Sequence, residues 1–169
     1  MNANRVTPTL TLFAGLFAAF VLTGCGNSGS ATSLNDAPEA REAPKTSQEF
    51  ADHIVHFNAI TSDQVSPENA AKYGISRSRS NALLNVVILA KQDGGGTKPM
   101  SGEVAVKTSN LTGQLKNVTL REITEGDAIY YIGVVPVANN ETLNFEITAT
   151  PAGSTGPLLV KYQQQFFTK

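Results

Sequence analysis

The segment Thr142-Leu143-Asn144-Phe145-Glu146-Ile147-Thr148-Ala149 determines the predicted fold class, because polar and apolar residues alternate along its whole length. An alternation with a period of two predicts a β-strand with one face in the core and the other in solvent. Two other segments, Ala82–Lys91 and Ala128–Val137, are apolar on both faces. They predict central strands that are covered on both sides.

Four further segments complete the set of predicted strands: 51–61, 103–108, 115–123 and 158–167. The glycine run Gly94–Gly96 predicts a hairpin tip, with Glu103–Thr108 as the return strand. One short helix is predicted after Ser66, because Pro67 fits the first helical position and Gly74 is placed to end it.

Turn residues recur along this region at intervals of about 8 to 12 residues, and the pattern gives no sign of a βαβ unit. This spacing favours an all-β fold, namely an antiparallel β-sandwich of immunoglobulin-like architecture with about seven strands and one short connecting helix. A β-barrel is the alternative architecture.

The amino terminus has the three parts of a secretory signal peptide, which is predicted over residues 1–24. Arg5 supplies positive charge, Leu12–Leu22 is an uncharged apolar run, and Thr23 and Gly24 are small residues that fit a cleavage site. The apolar run is shorter than the ~20 residues that a helix needs to cross a bilayer, so it suits a cleaved signal better than a retained span.

Cys25 is the only cysteine of the chain and directly follows Leu22-Thr23-Gly24. This pattern is similar to the bacterial lipobox. The resemblance implies that the Cys25 thiol receives a diacylglyceryl group and that cleavage before it exposes an amine for acylation, so that the membrane is a partner through a stable lipid anchor. Gly26 rather than Asp implies sorting to the outer membrane of a Gram-negative cell, facing the periplasm. A plain cleavable signal with a chance cysteine is the alternative.

Residues 25–47 are predicted to be the lipidated cysteine and a flexible tether, because they are rich in Gly, Ser, Ala and Pro and contain one bulky apolar residue, Leu34. The folded domain is therefore predicted over residues 48–169. It has no cysteine for a disulfide, so packing alone must hold it together. The chain has 13 Lys and Arg against 14 Asp and Glu, which gives no electrostatic argument for a nucleic-acid partner.

Five short segments carry a family resemblance: Tyr73-Gly74-Ile75, Arg77-Ser78, Ala82-Leu83-Leu84-Asn85, Arg121-Glu122-Ile123 and Glu125-Gly126-Asp127-Ala128-Ile129-Tyr130-Tyr131-Ile132-Gly133. With them the chain resembles the bacterial family catalogued as domain of unknown function 4426, over nearly the whole predicted domain. The resemblance implies a single secreted domain. It transfers no catalytic residue.

The residue types that commonly carry chemistry do not form a catalytic pattern in this sequence. His53 and His56 are three apart on a predicted strand, so they point to opposite faces and cannot bind one metal ion together. The chain has no Gly-x-Ser-x-Gly motif for a serine hydrolase. Glu122, Glu125 and Asp127 flank a turn and predict a solvated hairpin end rather than a glycosidase pair. We therefore predict no enzyme activity, no metal and no cofactor.

Two weak candidates for binding remain. Arg77 and Arg79 lie in a serine-rich loop that could hold an anion or a lipid headgroup, and a solvated loop is the alternative. Tyr130 and Tyr131 are adjacent on a predicted strand, so one should be in the core with its hydroxyl bonded and the other on an outer surface. Exposed apolar neighbours would make the outer tyrosine part of a contact patch, whereas ordinary sheet packing is the alternative.

These observations favour a non-catalytic protein interaction module of the cell envelope, with an envelope protein as its partner. The alternative is a small-ligand or carbohydrate-binding β-sandwich, which a concave and partly apolar pocket between the sheets would favour. An enzyme ranks third.

Overall fold

The structure is a computed structural model that describes residues 45–169. The predicted signal peptide, the lipidation site Cys25 and nearly all of the predicted tether lie outside the described residues. The described residues contain one 3₁₀ helix, at Ser62–Gln64, one α-helix and ten strands. In chain order, the strands and the α-helix are β1 (Ser47–Glu49), β2 (His53–Thr61), α1 (Pro67–Lys72), β3 (Asn81–Lys91), β4 (Thr97–Pro99), β5 (Gly102–Asn110), β6 (Leu115–Lys116), β7 (Arg121–Glu125), β8 (Ala128–Pro136), β9 (Glu141–Pro151) and β10 (Leu158–Phe166). Neither helix of this region is long and apolar enough to cross a membrane.

The strands form two antiparallel sheets. Sheet I has the order β1-β2-β3-β8-β7, with β4 paired to β3, and sheet II has the order β10-β9-β5-β6. Apart from the short strands β1, β4 and β6, the long strands β2-β3-β8-β7 and β10-β9-β5 correspond in order to the ABED and GFC sheets of an immunoglobulin domain. The predicted antiparallel, immunoglobulin-like β-sandwich is confirmed.

The core lies between the inner faces of the two sheets. Leu143, Phe145, Ile147 and Ala149 of β9 are at most 1% exposed, as the alternation in this segment predicted. The Tyr162 ring of β10 packs against Phe57 of sheet I at 5.1 Å and against Phe145 at 5.7 Å between ring centroids. Aromatic side chains thus join the two layers and fill the interior.

The strand that pairs with β3 after the glycine run is not the one that was predicted. β4 pairs with the end of β3, whereas β5, which contains the predicted return strand Glu103–Thr108, pairs with β9 in sheet II. Pro99 is the last residue of β4, and one further contact with β3 follows it, because the Met100 N–H donates to the Ile88 carbonyl oxygen at 2.9 Å. The chain then crosses to the other sheet at Gly102, where a Cβ would lie 2.4 Å from the carbonyl oxygen of Thr150.

The prediction of one strand over residues 115–123 is wrong. The segment contains β6 in sheet II and β7 in sheet I, with a connection that changes sheets between them. In this connection Val118 and Leu120 pack over Gly133 of β8, where a Cβ would lie 2.7 Å and 2.9 Å from their methyl carbons. These two apolar side chains therefore cover the open side of the core, and their alternation does not indicate a strand.

The predicted connecting helix is confirmed as α1. The Ser66 hydroxyl accepts a hydrogen bond from the Asn69 N–H at 3.3 Å, Pro67 is the first helical residue, and Gly74 follows the helix with a φ of +58°. Glycine adopts this left-handed conformation without steric cost. Residues 62–80, which join β2 to β3 and include α1, are called the helical arm below.

Candidate functional site

A cleft of about 480 Å³ lies between the outer face of sheet I and the helical arm. Its floor contains four aliphatic side chains from four strands, Ile60, Leu83, Ile123 and Ile132. The arm contributes Val65, Asn69, Tyr73 and Ile75. The volume falls within the range of about 300 to 1,000 Å³ that is typical of ligand sites.

The cleft exists because β3 and β8 are apolar on both faces. Their inward residues fill the sandwich, while Leu83 and Ile132 on the outer face form a second buried cluster with Ala70 and Ile75 of the arm. The sequence predicted that both faces of these strands would be covered. The helical arm is the second cover, and it leaves part of the apolar surface open as the floor of the cleft.

Hydrogen bonds fasten the arm to the far edge of sheet I. The Glu125 carboxylate of β7 accepts hydrogen bonds from the Lys72 ammonium and the Tyr73 hydroxyl, and the Arg121 guanidinium donates to the Tyr73 carbonyl. The bonds from Lys72 and Tyr73 lower the pKa of Glu125, and the same carboxylate raises the pKa of Lys72. Glu125 is 45% exposed and lies at the solvated end of the β7–β8 hairpin, as predicted, but its carboxylate is also bonded to the arm, which the sequence did not indicate.

Tyr130 and Tyr131 point to opposite faces of β8, as predicted. Tyr131 is 4% exposed in the core, whereas Tyr130 is half-buried at the cleft and packs with the Leu83–Ile132 cluster. Of the two predicted tyrosines, therefore, only Tyr130 lies where a partner could touch it.

The Tyr131 hydroxyl is used within the fold. It accepts a hydrogen bond from the Gly102 N–H at 2.8 Å and lies 2.9 Å from the Gly102 carbonyl oxygen and 2.8 Å from the Glu122 carboxylate. Burial and the bond to Glu122 raise its pKa. Because Gly102 begins β5 in sheet II, this network joins the two sheets.

Two asparagines that sequence reasoning did not single out line the cleft. Asn58 of β2 and Asn85 of β3 are directly opposite each other in the register. Within residues 45–169, the buried Oδ1 of Asn85 has no hydrogen-bond partner. A buried unpaired acceptor costs about 1–3 kcal/mol, and here it is free to accept a hydrogen bond from a group that enters the cleft. The available signal was an asparagine within the apolar run Ala82–Lys91.

The two asparagines also line a second depression of about 250 Å³, together with Thr46, His56 and Phe57. Since Asn58 and Asn85 belong to both hollows, the cleft continues across sheet I toward the residue that precedes β1. The cleft and this depression together are called the groove below.

Arg77 and Arg79 lie in the helical arm and do not line the cleft. An Arg77 Nη donates to the carbonyl oxygen of Asp63 at 2.5 Å, and Nε of Arg79 lies 3.5 Å from the Asp63 carboxylate. The pKa of Asp63 is lowered chiefly by a hydrogen bond with Thr61 and further by the charges of both arginines. Both arginines therefore connect the end of the helical arm to the 3₁₀ helix at its start.

His53 and His56 lie on β2 opposite Ala90 and Val87 of β3. Their spacing of three residues places them on opposite faces of the strand, as the sequence indicated. Across the described residues, no group of three or more His, Cys, Asp or Glu side chains is close enough together to hold a metal ion.

The folded region has relatives among known families and structures. The family model described as "Domain of unknown function (DUF4426)" matches residues 47–169. A crystal structure of a DUF4426 family protein (PA0388) from Pseudomonas aeruginosa PAO1 is similar, with a TM-score of 0.62 and 29% sequence identity, and the match covers 72% of this chain and 93% of that chain. No curated protein matches the chain. On the extent of the family match, the chain belongs to the DUF4426 family.

Proposed function

We propose that this chain is a lipid-anchored, non-catalytic protein interaction module of the cell envelope that binds its partner through the cleft. The observation that carries the proposal is the cleft itself, which has an aliphatic floor and Tyr130 at its margin. Protein interfaces concentrate binding energy in such pockets, where aromatic and aliphatic groups are desolvated together. Tyr130 is the predicted binding residue that best fits this role.

The amino-terminal sequence supports the anchored part of the proposal. Leu22-Thr23-Gly24-Cys25 fits lipidation of Cys25, and Gly26 fits retention at the outer membrane, facing the periplasm. A flexible tether of about 22 residues has an end-to-end distance of roughly 25 Å. The domain would then sit clear of the lipid headgroups and present its cleft to another envelope protein.

The placement of the carboxylates supports a non-catalytic role. Glu122 contacts Tyr131 on the inner side of β7, whereas Glu125, three residues later, contacts Lys72 and Tyr73 of the arm on the outer side. Two carboxylates on opposite faces of a strand cannot flank one glycosidic bond. Their hydrogen bonds give each of them a structural role.

A small-ligand or carbohydrate-binding function is the second candidate, and the Asn58–Asn85 pair favours it because amide side chains orient polar ligands. The cleft lies on the outer face of sheet I, however, and not between the sheets, where this alternative placed its pocket. Its aliphatic floor fits an apolar protein side chain better than a hydroxyl-rich sugar, whose hydroxyls would stay unpaired there.

Photo-cross-linking in the envelope tests the proposal. A photoreactive phenylalanine analogue replaces Tyr130 in the full lipidated chain, and a matched analogue replaces Leu159, which is 62% exposed on β10 of sheet II. We expect a discrete adduct with one envelope protein from position 130 and none from position 159. Equal adducts from both positions, or none from position 130, would contradict the proposal.

A further inference from the structure

We infer that the groove binds an extended, uncharged peptide segment that carries one bulky apolar side chain. The inference rests on the proposed function and names the chemistry of the partner at the same site. Four features carry it: the length of the groove, its aliphatic floor, its asparagine pair and the absence of a free charge from the cleft.

The length and direction of the groove fit an extended chain. The groove starts at Ile123 of β7, crosses β8, β3 and β2, and ends at Thr46 beside β1. Four steps between neighbouring strands, at about 4.8 Å each, give a length of roughly 19 Å. An extended peptide of about six residues, at ~3.3 Å per residue, covers this distance.

The floor provides one apolar anchor site. Leu83 and Ile132 are almost fully buried beneath the arm, and Ile60 and Ile123 extend the aliphatic surface to the opening. Tyr130 forms the margin. A leucine, isoleucine, methionine or phenylalanine side chain of the partner would remove this surface from water, which is the main favourable contribution to association.

The asparagine pair matches a peptide backbone. A primary amide presents one acceptor oxygen and two N–H donors, so it can pair with both the N–H and the C=O of a passing peptide unit. Oδ1 of Asn85 is buried without a donor among the described residues, and a backbone N–H of the ligand would supply one. Asn58, directly opposite, places a second amide on the same path.

The charge of the cleft selects against charged ligands. Glu125 is the one charged residue among those that line it, and its carboxylate is already bonded to Lys72 and Tyr73. A cationic or anionic side chain would lose its hydration on the aliphatic floor without gaining a partner. The inferred anchor residue is therefore apolar and its neighbours are uncharged.

The test measures binding of defined probes to the full lipidated chain in nanodiscs, with labelled isoleucine methyl and asparagine amide groups observed by NMR. The first probe is the blocked peptide acetyl-Gly-Ser-Ala-Leu-Ala-Ser-Gly-amide. Its matched analogue has lysine at the central position, and N,N′-diacetylchitobiose represents the saccharide class. We expect the leucine probe to shift the Ile123 and Ile132 methyl signals and the Asn85 amide signal, and to bind at least tenfold more tightly than the lysine analogue.

Variants of the chain localise the binding. Asn69→Trp fills the cleft from an exposed position of α1, and Glu68→Trp adds the same bulk one residue away, outside the cleft lining. We expect the first to abolish binding of the leucine probe and the second to leave it unchanged. Asn85→Ala should weaken binding about three- to tenfold, through loss of one hydrogen bond.

Three outcomes overturn the inference: equal binding of the lysine analogue, shifts caused by the saccharide but not by the leucine probe, or no shift at Ile123, Ile132 and Asn85 with any probe. A cross-link from position 130 that persists beside any of these outcomes shows that the ligand class is wrong and the proposed function stands. Loss of both the cross-link and the peptide shifts refutes the two together.

Discussion

Replacing Asn85 by leucine is expected to stabilise the folded domain, although the change removes a residue of the candidate site. Oδ1 of Asn85 is buried and, among the described residues, unpaired. Leaving such an acceptor buried costs about 1–3 kcal/mol, and this cost disappears with the amide. Leucine has a similar size, and Ile132, directly opposite on β8, provides an apolar neighbour. The structure thus predicts a gain of about 1–2 kcal/mol in the free energy of unfolding.

This gain converts into a shift of the melting temperature. A domain of about 120 residues has an unfolding entropy near 0.25 kcal/mol/K, so the expected rise in Tm is about 4 to 8 °C. Thermal unfolding of the full chain, followed by circular dichroism, measures it. The matched control is Asn58→Leu, because Asn58 is exposed, and its Tm should stay within about 2 °C of the wild type. A lower Tm for Asn85→Leu, or equal shifts for the two variants, would refute the reasoning that Asn85 carries an unmet acceptor.

Four other perturbations follow from the structure. Gly133→Ala should lower the free energy of unfolding by about 1–3 kcal/mol in urea titrations, because its Cβ would overlap the connection between β6 and β7; an unchanged midpoint would contradict that packing. Tyr131→Phe should cost about 1–3 kcal/mol at pH 7. The folded-state pKa of Tyr131 is raised above its unfolded value of about 10. Its contribution to the free energy of unfolding is therefore fully present below about pH 10 and is lost as the pH rises further. The phenylalanine variant should not show this loss of stability at high pH. Burial acts to raise the pKa of Glu141, but the hydrogen bonds from Lys116 and from a backbone N–H, together with the Lys116 charge, outweigh it and lower the pKa. The contribution of Glu141 to the free energy of unfolding is present above its unfolded pKa of about 4.3 and is lost as the pH falls through the folded value. Glu141→Gln should therefore reduce the loss of stability at acid pH. An unchanged acid part of the stability profile would exclude the Lys116–Glu141 pair as its source. Cys25→Ala should abolish labelling by radioactive palmitate and release the chain from the membrane fraction, whereas equal labelling of both forms would rule out the anchor.

The sandwich could be predicted because its main strands can be recognised from local sequence patterns. The alternation in Thr142–Ala149 and the apolar runs Ala82–Lys91 and Ala128–Val137 correspond to β9, β3 and β8. Each of these patterns depends on the face that a residue presents, which is a property of neighbouring positions in the chain.

The changes of sheet could not be predicted in the same way. Val118 and Leu120 alternate like strand residues, but they cover Gly133, and this contact depends on a glycine more than ten positions away in the chain. The position of β5 in sheet II, rather than beside β3, depends likewise on the close approach of Gly102 to Thr150. Such contacts arise only when distant segments pack together.

The candidate site was predicted in part. The sequence placed one tyrosine of the pair Tyr130–Tyr131 on an outer surface, and the structure places Tyr130 there, at the cleft. It did not indicate that the helical arm would fold over sheet I and form a cleft with Asn85 in its lining. The arm is held by hydrogen bonds to Glu125, 53 positions from Lys72, and no local pattern encodes them.

The central claim, that the cleft receives the partner of an anchored module, is tested most directly by the yield of the cross-link from position 130 in living cells, compared between Asn69→Trp and Glu68→Trp chains. Filling the cleft at Asn69 is predicted to abolish the adduct, while the neighbouring tryptophan at position 68 leaves it at the wild-type yield. An adduct of unchanged yield in the Asn69→Trp chain, with both variants folded and membrane-bound, would contradict the account.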